Sequence, residues 1–288
     1  MGTIDCLLGT RLQLIACTSG TQLKDVVGFG SGFMLSYKGY NFLITAAHVA
    51  EPNWNEKNVH PRLDNNDIAI ATTLSDINES GTKQTVYIPV GGFEFVEQLH
   101  IDLNSLSQGE ITLKGTPEPI DVTYTIVKDR PGVFHFNLEP KDSVSENDSR
   151  KCEYIVIPEN AIYPVDEYDH YFVYGRIKFE RRIDEDGSPY WYSEDRFHVD
   201  MTYRTTINGN ILVFETANDD EVVYEEWAGI SGAPILNQEG GLVGIACSVL
   251  DGTHTMFGLD INFVMKFLDI AIDQEKGAND SLNGNVTE

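Results

Sequence analysis

A serine between glycines near the end of the chain has the surroundings of a nucleophile. Ser231 lies in the run GISGAP, residues 229–234, which leads into the apolar segments PIL and LVGIACS. Glycine tolerates backbone angles that other residues avoid, so the flanking glycines can hold the serine hydroxyl on a tight turn. The same pattern fits a surface hairpin in which the glycines only reverse the chain. The turn alone therefore leaves both interpretations open.

A histidine far upstream favours the catalytic interpretation. His48 follows an apolar, strand-like run in the segment FLITAAHVA, residues 42–50. Imidazole titrates near neutral pH, so it can accept a proton from a serine hydroxyl within hydrogen-bond distance. The remaining histidines show no HxH or HExxH spacing: His60, His100, His135, His170, His198 and His254. We therefore expect neither a metal site nor a cofactor.

The elements that must position these two residues are mainly strands. Strand-forming runs recur at short intervals with Gly, Pro, Asn and Asp between them, and only the region after Asn262 has sustained helical spacing. The chain has 288 residues, 41% of them hydrophobic, which is enough for a sizeable core. Its formal charge of −25 would repel phosphate backbones and anionic lipid surfaces. We expect no nucleic-acid and no membrane partner.

Cysteine usage and the amino-terminal segment predict a reducing compartment. The four cysteines stand in apolar surroundings without a CxxC pair: Cys6, Cys17, Cys152 and Cys247. This arrangement favours free thiols over a zinc site or a disulfide framework. The first 20 residues lack a basic region, and their apolar stretch is interrupted by Gly9, Thr10 and Arg11, so they do not look like an export signal. We expect a cytoplasmic protein.

The TAAH and GISGAP segments together resemble those of the trypsin/chymotrypsin-like serine peptidases, including their bacterial-type members. The order agrees, with the histidine first and the serine last, and the later runs LVGIACSV, TMFGLDI and NFVMKFLDIAI resemble the family's closing strands and helix. The resemblance covers most of the chain, with its strongest motifs at the two ends. It implies two six-stranded antiparallel β-barrels and a short C-terminal helix, an all-β fold.

The same resemblance implies the roles of the site residues. His48 and an aspartate would lie on the first barrel and Ser231 on the second, with an oxyanion hole formed by the backbone N–H groups of Gly229 and Ser231. A GxGxGF segment, here GFGSGF at residues 28–33, would precede the histidine strand, its glycines allowing close packing at a barrel corner. No phosphate-binding loop is predicted there, because a strand follows and not a helix.

Two aspartates are candidates for the acid that orients His48. Asp67, in NNDIAIA, has the better local likeness to the family's acid segment, whereas Asp121 heads the alternating strand PIDVTYTIV. Only 18 residues without strand character separate His48 from Asp67, too few for the hairpin that should lie between histidine and acid. We therefore prefer Asp121 and keep Asp67 as the alternative acid.

This choice sets the predicted domain organisation. Residues 1–150 would form the first barrel, with an insertion at about 51–82, and residues 151–276 the second barrel and the helix. Residues 139–153 would be an exposed connector, 176–206 a long hairpin and 277–288 a flexible tail. Gly175 is expected to end the first strand of the second barrel in a turn.

The sequence thus predicts a serine endopeptidase that hydrolyses peptide bonds through an acyl-enzyme, using Ser231, His48 and Asp121. Glu225, six positions before the serine, is a possible wall of the specificity pocket, where it would favour a basic side chain. The candidate partners are a protein or peptide substrate and a regulatory protein. The alternative is a catalytically silent module of the same fold that binds peptides or proteins in its cleft.

Overall fold

The computed structural model describes residues 11–18, 26–51, 66–77, 83–90, 92–98, 114–115, 117–127, 135–137, 153–183, 185, 187, 189–217 and 222–284. Most of this backbone is strand: β1 (Arg11–Thr18), β2 (Val26–Tyr37), β3 (Tyr40–Thr45), β4 (Asn66–Ile77), β5 (Lys83–Val90), β6 (Glu94–Gln98), β7 (Glu118–Ile126), β8 (His135–Asn137), β9 (Glu153–Pro158), β10 (His170–Ile183), β11 (Pro189–Ile207), β12 (Ile211–Glu215), β13 (Pro234–Asn237), β14 (Leu242–Leu250) and β15 (Thr255–Asp260). Helical segments are α1 (Ala47–Ala50), a 3-10 turn (Glu159–Ala161), α2 (Tyr224–Trp227) and α3 (Ile261–Gly284).

The first half of the chain forms a sheet of nine strands. Seven run in the order β5-β4-β1-β2-β3-β7-β6, β9 pairs in parallel with β2, and β8 pairs with β9. Within the described residues this sheet is not closed by hydrogen bonds, so the expectation of two closed barrels is met by one only. Its two end strands are nevertheless consecutive in sequence, β5 ending at Val90 and β6 beginning at Glu94. Four residue steps span at most about 14 Å, so the sheet must curl until its ends are near each other.

The predicted insertion at residues 51–82 is wrong for the part that the structure describes. Strand β4 is a member of the first sheet, paired with β1 on one side and with β5 on the other. The apolar positions Ile68 and Ile70 are buried, and they give β4 its place in the core. The partners in β1 and β4 are 48 to 58 positions apart, and pairing over such a distance leaves no local signal, which is why β4 looked like an isolated element.

The second half forms a closed barrel of six strands, in the order β10-β11-β12-β15-β14-β13. The barrel begins at His170, in the run HYFVYGRI, whereas the predicted domain boundary lies at residue 151, because β9 belongs to the first sheet through its pairing with β2. Gly175 does not end a strand in a turn; it lies inside β10, opposite Arg196. Its missing side chain has a packing reason, since a Cβ atom there would lie 2.8 Å from the Cα of Ile230.

The long hairpin predicted at residues 176–206 is present as β10 and β11, which pair from Ile183 and Pro189 at the tip back to His170. Gly187 has a φ of +86° at this tip. The side chains of Tyr190 and Trp191 beside this tip lie outside the described part, as does the predicted connector apart from Glu153.

Helix α3 packs into the core between the two halves. Its residues Ile261, Val264, Leu268 and Ile272 are buried, and their spacing of three or four places them on one face. They join a core that also contains residues of the first sheet, such as Phe33 and Phe42, and of the barrel, such as Leu236 and Ile245. The helix therefore stabilises the junction of the sheet and the barrel.

Two side chains of the first sheet hold the same helix at the surface. The Tyr37 hydroxyl donates to the Asp269 carboxylate at 2.9 Å, and Lys38 Nζ donates to the same carboxylate oxygen at 2.6 Å. The helix also extends to Gly284, so residues 277–284, predicted as a flexible tail, are helical. This segment has too few apolar residues to show a helical period, but extending an existing helix gains one hydrogen bond per added residue. None of the described helices is both long and apolar enough to cross a membrane.

Candidate active site

His48 and Asp121 lie in contact. Antiparallel pairing of Thr45 with Thr123 brings the end of β3 beside the start of β7. The Nδ1 atom of His48 lies 2.9 Å from Asp121 Oδ2 and 3.0 Å from Oδ1, and the backbone N–H of His48 donates to Oδ1 at 3.2 Å. An ionised carboxylate only accepts, so Nδ1 must carry the hydrogen, which leaves Nε2 of the neutral ring as an acceptor.

The structure therefore brings Asp121, and not Asp67, to the orienting side of the imidazole. Asp67 is a residue of β4, where its backbone lies opposite Cys17 of β1; its side chain lies outside the described part. Asp121 holds both the ring and the first turn of the segment that carries it. This double attachment favours one orientation of His48 over its other rotamers.

Ser231 lies on the turn between α2 and β13. Its hydroxyl is half-buried and donates to the backbone carbonyl of Cys247 at 3.2 Å. Within the part of the chain that the structure describes, no hydrogen bond joins Ser231 to His48. Ser231 and His48 are nevertheless close in the fold. Ser231 bonds to Cys247, and the thiol of Cys247 lies 3.9 Å from the backbone oxygen of Asp121, the residue that contacts His48. Catalytic hydrogen bonds are often long or misaligned before a substrate is bound.

The turn around Ser231 presents two backbone N–H groups that have no acceptor among the described residues. The N–H of Ile230 donates to Trp227 at 3.0 Å and that of Gly232 donates to Ala246 at 2.7 Å. Among the described residues, the N–H groups of Gly229 and Ser231 make no hydrogen bond. Gly229 has a φ of +105°, an angle that side-chain-bearing residues rarely adopt. Such a turn can bind an oxygen that carries negative charge.

The serine turn packs closely against the first sheet at two glycines. A Cβ atom on Gly30 would lie 2.4 Å from Val49 Cγ2 and 3.0 Å from the Ser231 carbonyl oxygen. A Cβ atom on Gly232 would lie 2.0 Å from the Ser31 carbonyl oxygen. Gly30 of GFGSGF and Gly232 of GISGAP thus allow the backbones of β2 and of the serine turn to approach each other more closely than any side chain would permit.

We expect Gly232→Ala to lower the free energy of unfolding by at least about 3 kcal/mol, because it adds both backbone strain at a φ of +85° and an overlap with Ser31. Gly252→Ala is the matched control: Gly252 has a φ of +68°, but no atom of the described residues lies within 4 Å of where its Cβ atom would be. The control should cost only about 1–2 kcal/mol, the strain alone. Urea unfolding of both variants measures the difference. Equal losses would show that close packing does not require glycine at position 232.

Glu225, the residue considered for a specificity pocket, lies exposed on the short helix α2. Its neighbour Glu226 is partly buried and forms an ion pair with Arg196 of β11. An exposed carboxylate on a helix does not form a buried acidic wall. Glu225 is therefore not one of the residues of the proposed site.

The thiol of Cys247 lies beside the candidate site, 3.9 Å from the backbone oxygen of Asp121. Desolvation raises the pKa of its thiol well above the usual range, and the negative charge of Asp121 acts in the same direction. The thiol is therefore protonated at neutral pH, and it is a weaker nucleophile than an ordinary cysteine. This favours Ser231 over Cys247 as the reacting group. Cys247 forms no disulfide, and the side chains of Cys6, Cys17 and Cys152 lie outside the described part.

A cavity of about 780 Å³ opens beside Asp121 and Cys247. Its wall includes Asp121, Cys247 and Ser248 on the side of the candidate site, and Glu118 and Asn208 further out. It lies between the start of β7 in the first sheet and the strands β12, β14 and β15 of the barrel. Clefts of this size accommodate several side chains or a small ligand.

Sequence reasoning missed Ser31, which connects the first sheet to the serine turn. Its N–H donates to the Ser231 carbonyl at 2.8 Å, and its hydroxyl donates to the Gly229 carbonyl at 2.8 Å. The signal was a polar residue between the glycines of GFGSGF, inside a strand whose neighbouring residues are buried. Among the described residues, no group of three or more His, Cys, Asp or Glu is placed to hold a metal ion.

Comparison with known proteins gives a distant likeness. No protein-family model matches the chain, and no curated protein matches it. The chain is similar to the crystal structure of a serine endoprotease from Yersinia pestis, with 13% sequence identity and a TM-score of 0.43. That alignment covers 95% of this chain and 67% of the Yersinia chain.

Proposed function

We propose that this protein is a serine endopeptidase of the trypsin-like kind, with Ser231 as nucleophile, His48 as base and Asp121 as the acid that orients the base. The observation that carries the proposal is the contact of His48 Nδ1 with Asp121, beside a serine turn whose two N–H groups have no acceptor. The chain of contacts is short. Ser231 bonds to the carbonyl of Cys247, and the thiol of Cys247 lies against Asp121.

The proposed reaction uses each of these groups once. Ser231 Oγ attacks the scissile carbonyl carbon while His48 Nε2 accepts the hydroxyl proton, and Asp121 stabilises the resulting imidazolium. The carbonyl oxygen gains the negative charge, which the N–H groups of Gly229 and Ser231 bind. His48 then gives its proton to the leaving amine. Water, activated by His48, hydrolyses the acyl-enzyme and restores the serine.

An extended peptide is the substrate that the surroundings support. Strand β13 pairs with β14 only as far as Ile245, so from Ser248 to Leu250 the described residues give β14 one partner, β15. This free edge begins beside the carbonyl that Ser231 contacts, and a peptide can add to such an edge as a further strand. The cavity next to Asp121 can receive side chains of that peptide.

A fluorophosphonate probe tests the proposal directly. We expect one adduct on the native protein, mapped by mass spectrometry to Ser231, because only an activated serine reacts with such a probe. Denatured protein should not react. Ser36→Ala removes a half-buried serine elsewhere on β2 and should label like the wild type. An adduct that persists in Ser231→Ala would contradict the assignment.

One observation favours a second candidate, a peptide-binding module without turnover. The Ser231 hydroxyl donates to the Cys247 carbonyl, whereas an active base would compete for the same hydrogen. The free edge of β14 and the cavity would serve such a module equally well. Absence of labelling, together with measurable binding of extended peptides, would favour this candidate over the peptidase.

A further inference from the structure

The residue that links the two halves at the serine turn is Ser31. It is fully buried on β2, and its N–H and hydroxyl both donate to the turn of the barrel, to Ser231 and to Gly229. Its carbonyl accepts a hydrogen bond at 2.6 Å from Thr45, a fully buried residue of β3. All three polar groups of Ser31 are therefore engaged, and its hydroxyl is held towards Gly229.

The hydrogen bond from the Ser31 hydroxyl to the Gly229 carbonyl restrains the part of the turn where the backbone angles are least restricted. Glycine adopts positive and negative φ about equally well, so the chain itself does not favour the orientation of the peptides around residue 229. The carbonyl of Gly229 points to Ser31, and the next N–H, of Ile230, points to Trp227. These two bonds fix the peptide between residues 229 and 230, and the N–H groups of Gly229 and Ser231 belong to the peptides on either side of it, so its orientation constrains both. Loss of the hydroxyl would leave a buried carbonyl without a donor, and rotation of the peptide would be one way to find another.

We propose that Ser31 is a positioning residue through which the first sheet orients the oxyanion-binding N–H groups of the barrel. This inference rests on the proposed function and deepens it: the oxyanion site would be complete only when the sheet and the barrel are docked. Ser31 touches neither the substrate nor the reacting atoms. Its effect is expected on the chemical step, where the oxyanion forms, and not on the binding of the ground-state substrate.

The test compares two buried hydroxyls. Ser31→Ala removes the donor to Gly229, and Thr123→Val removes an equally buried hydroxyl of β7, which donates to the backbone carbonyl of Glu94 at 2.8 Å. We expect Ser31→Ala to lower kcat and the rate of fluorophosphonate labelling about tenfold or more with KM unchanged, less than the 10²–10³ lost with a whole oxyanion donor. Ser31→Cys, which keeps a weak donor, should fall between. Thr123→Val should change neither rate. Equal effects of Ser31→Ala and Thr123→Val, or a change confined to KM, would overturn the proposal.

A second measurement separates this inference from the proposed function. The amide resonances of Gly229, Ile230 and Ser231 can be followed by NMR in unreacted protein. Ser31→Ala should shift or broaden them, and Thr123→Val should leave them near their wild-type positions. If the wild type neither labels nor hydrolyses peptides, the proposed function fails while these spectra still decide the role of Ser31. Unchanged resonances in Ser31→Ala would refute the positioning role even in an active enzyme.

Discussion

Replacing Ser231 by alanine is expected to lower the turnover of a peptide substrate by about 10⁶-fold, while the fold and peptide binding persist. The loss is large because the acyl-enzyme route disappears and only binding and the oxyanion site remain. Alanine keeps the Cβ atom of the turn, and the Ser231 backbone, which accepts from Ser31, is untouched. Single-turnover kinetics on a fluorogenic peptide measures the effect, and circular dichroism checks the fold.

The double variant provides the sharper control. His48→Ala should cost about as much as Ser231→Ala, and the two together should cost little more than either alone, because the residues act as one unit. Losses that multiply in the double variant would mean that the two residues act independently. Such a result would contradict the shared proton transfer on which the proposed mechanism depends.

Asp121→Asn is expected to lower turnover by about 10⁴ with the fold and substrate binding retained. The asparagine oxygen can still accept a hydrogen bond from the backbone N–H of His48, which in the wild type donates to Asp121 Oδ1 at 3.2 Å. However, the N–H₂ group of an asparagine can also donate to His48 Nδ1. This favours the imidazole tautomer that has its hydrogen on Nε2, and in that tautomer Nε2 cannot accept the serine proton. Steady-state hydrolysis of a fluorogenic peptide measures kcat and KM of the variant.

Asp67→Asn is the matched control, because it makes the same change at the other candidate acid. We expect less than about a threefold effect, since Asp67 lies in β4, paired with β1, and Asp121 already occupies Nδ1 of His48. The same hydrolysis assay measures both variants. A loss of 10³ or more in Asp67→Asn, with Asp121→Asn near wild type, would reverse the assignment of the acid.

The pairing of His48 with Asp121 was accessible from the sequence because it depends on counting strands. The chain between them has enough strand-forming residues for the elements that must come before the acid, whereas the 18 residues before Asp67 do not. Part of that reasoning was wrong, since β4 is a regular strand of the sheet and no insertion. The argument survived because β4 itself supplies one of the strands that precede Asp121.

Non-local pairings account for most of what the sequence did not predict. Strand β9 was assigned to the second barrel by its position in the chain, but its parallel register with β2, Met34 opposite Val156, places it in the first sheet. The open strand order of that sheet likewise depends on contacts between distant residues. Local propensity indicates that a segment is a strand but not which strand it joins.

Ser31 was missed for a different reason. Its role depends on the direction of one buried hydroxyl towards Gly229, 198 positions away, and sequence patterns carry no such information. The glycines beside it attracted attention because they have few structural uses. Their closeness to the serine turn appears only when both halves are seen together, as Gly30 and Gly232 show.

The position of helix α3 has a consequence for the order in which the protein forms. The helix follows all the strands in the chain, yet Asp269 bonds to Tyr37, 232 positions earlier, and Leu268 packs in the core that the first sheet shares with the barrel. Contacts between residues so far apart must overcome the entropy of closing a very long loop, and folding rates fall as such contacts increase. The cleft should therefore be assembled late, after both halves have gained most of their own structure. A nascent chain would remain inactive until the helix has left the ribosome.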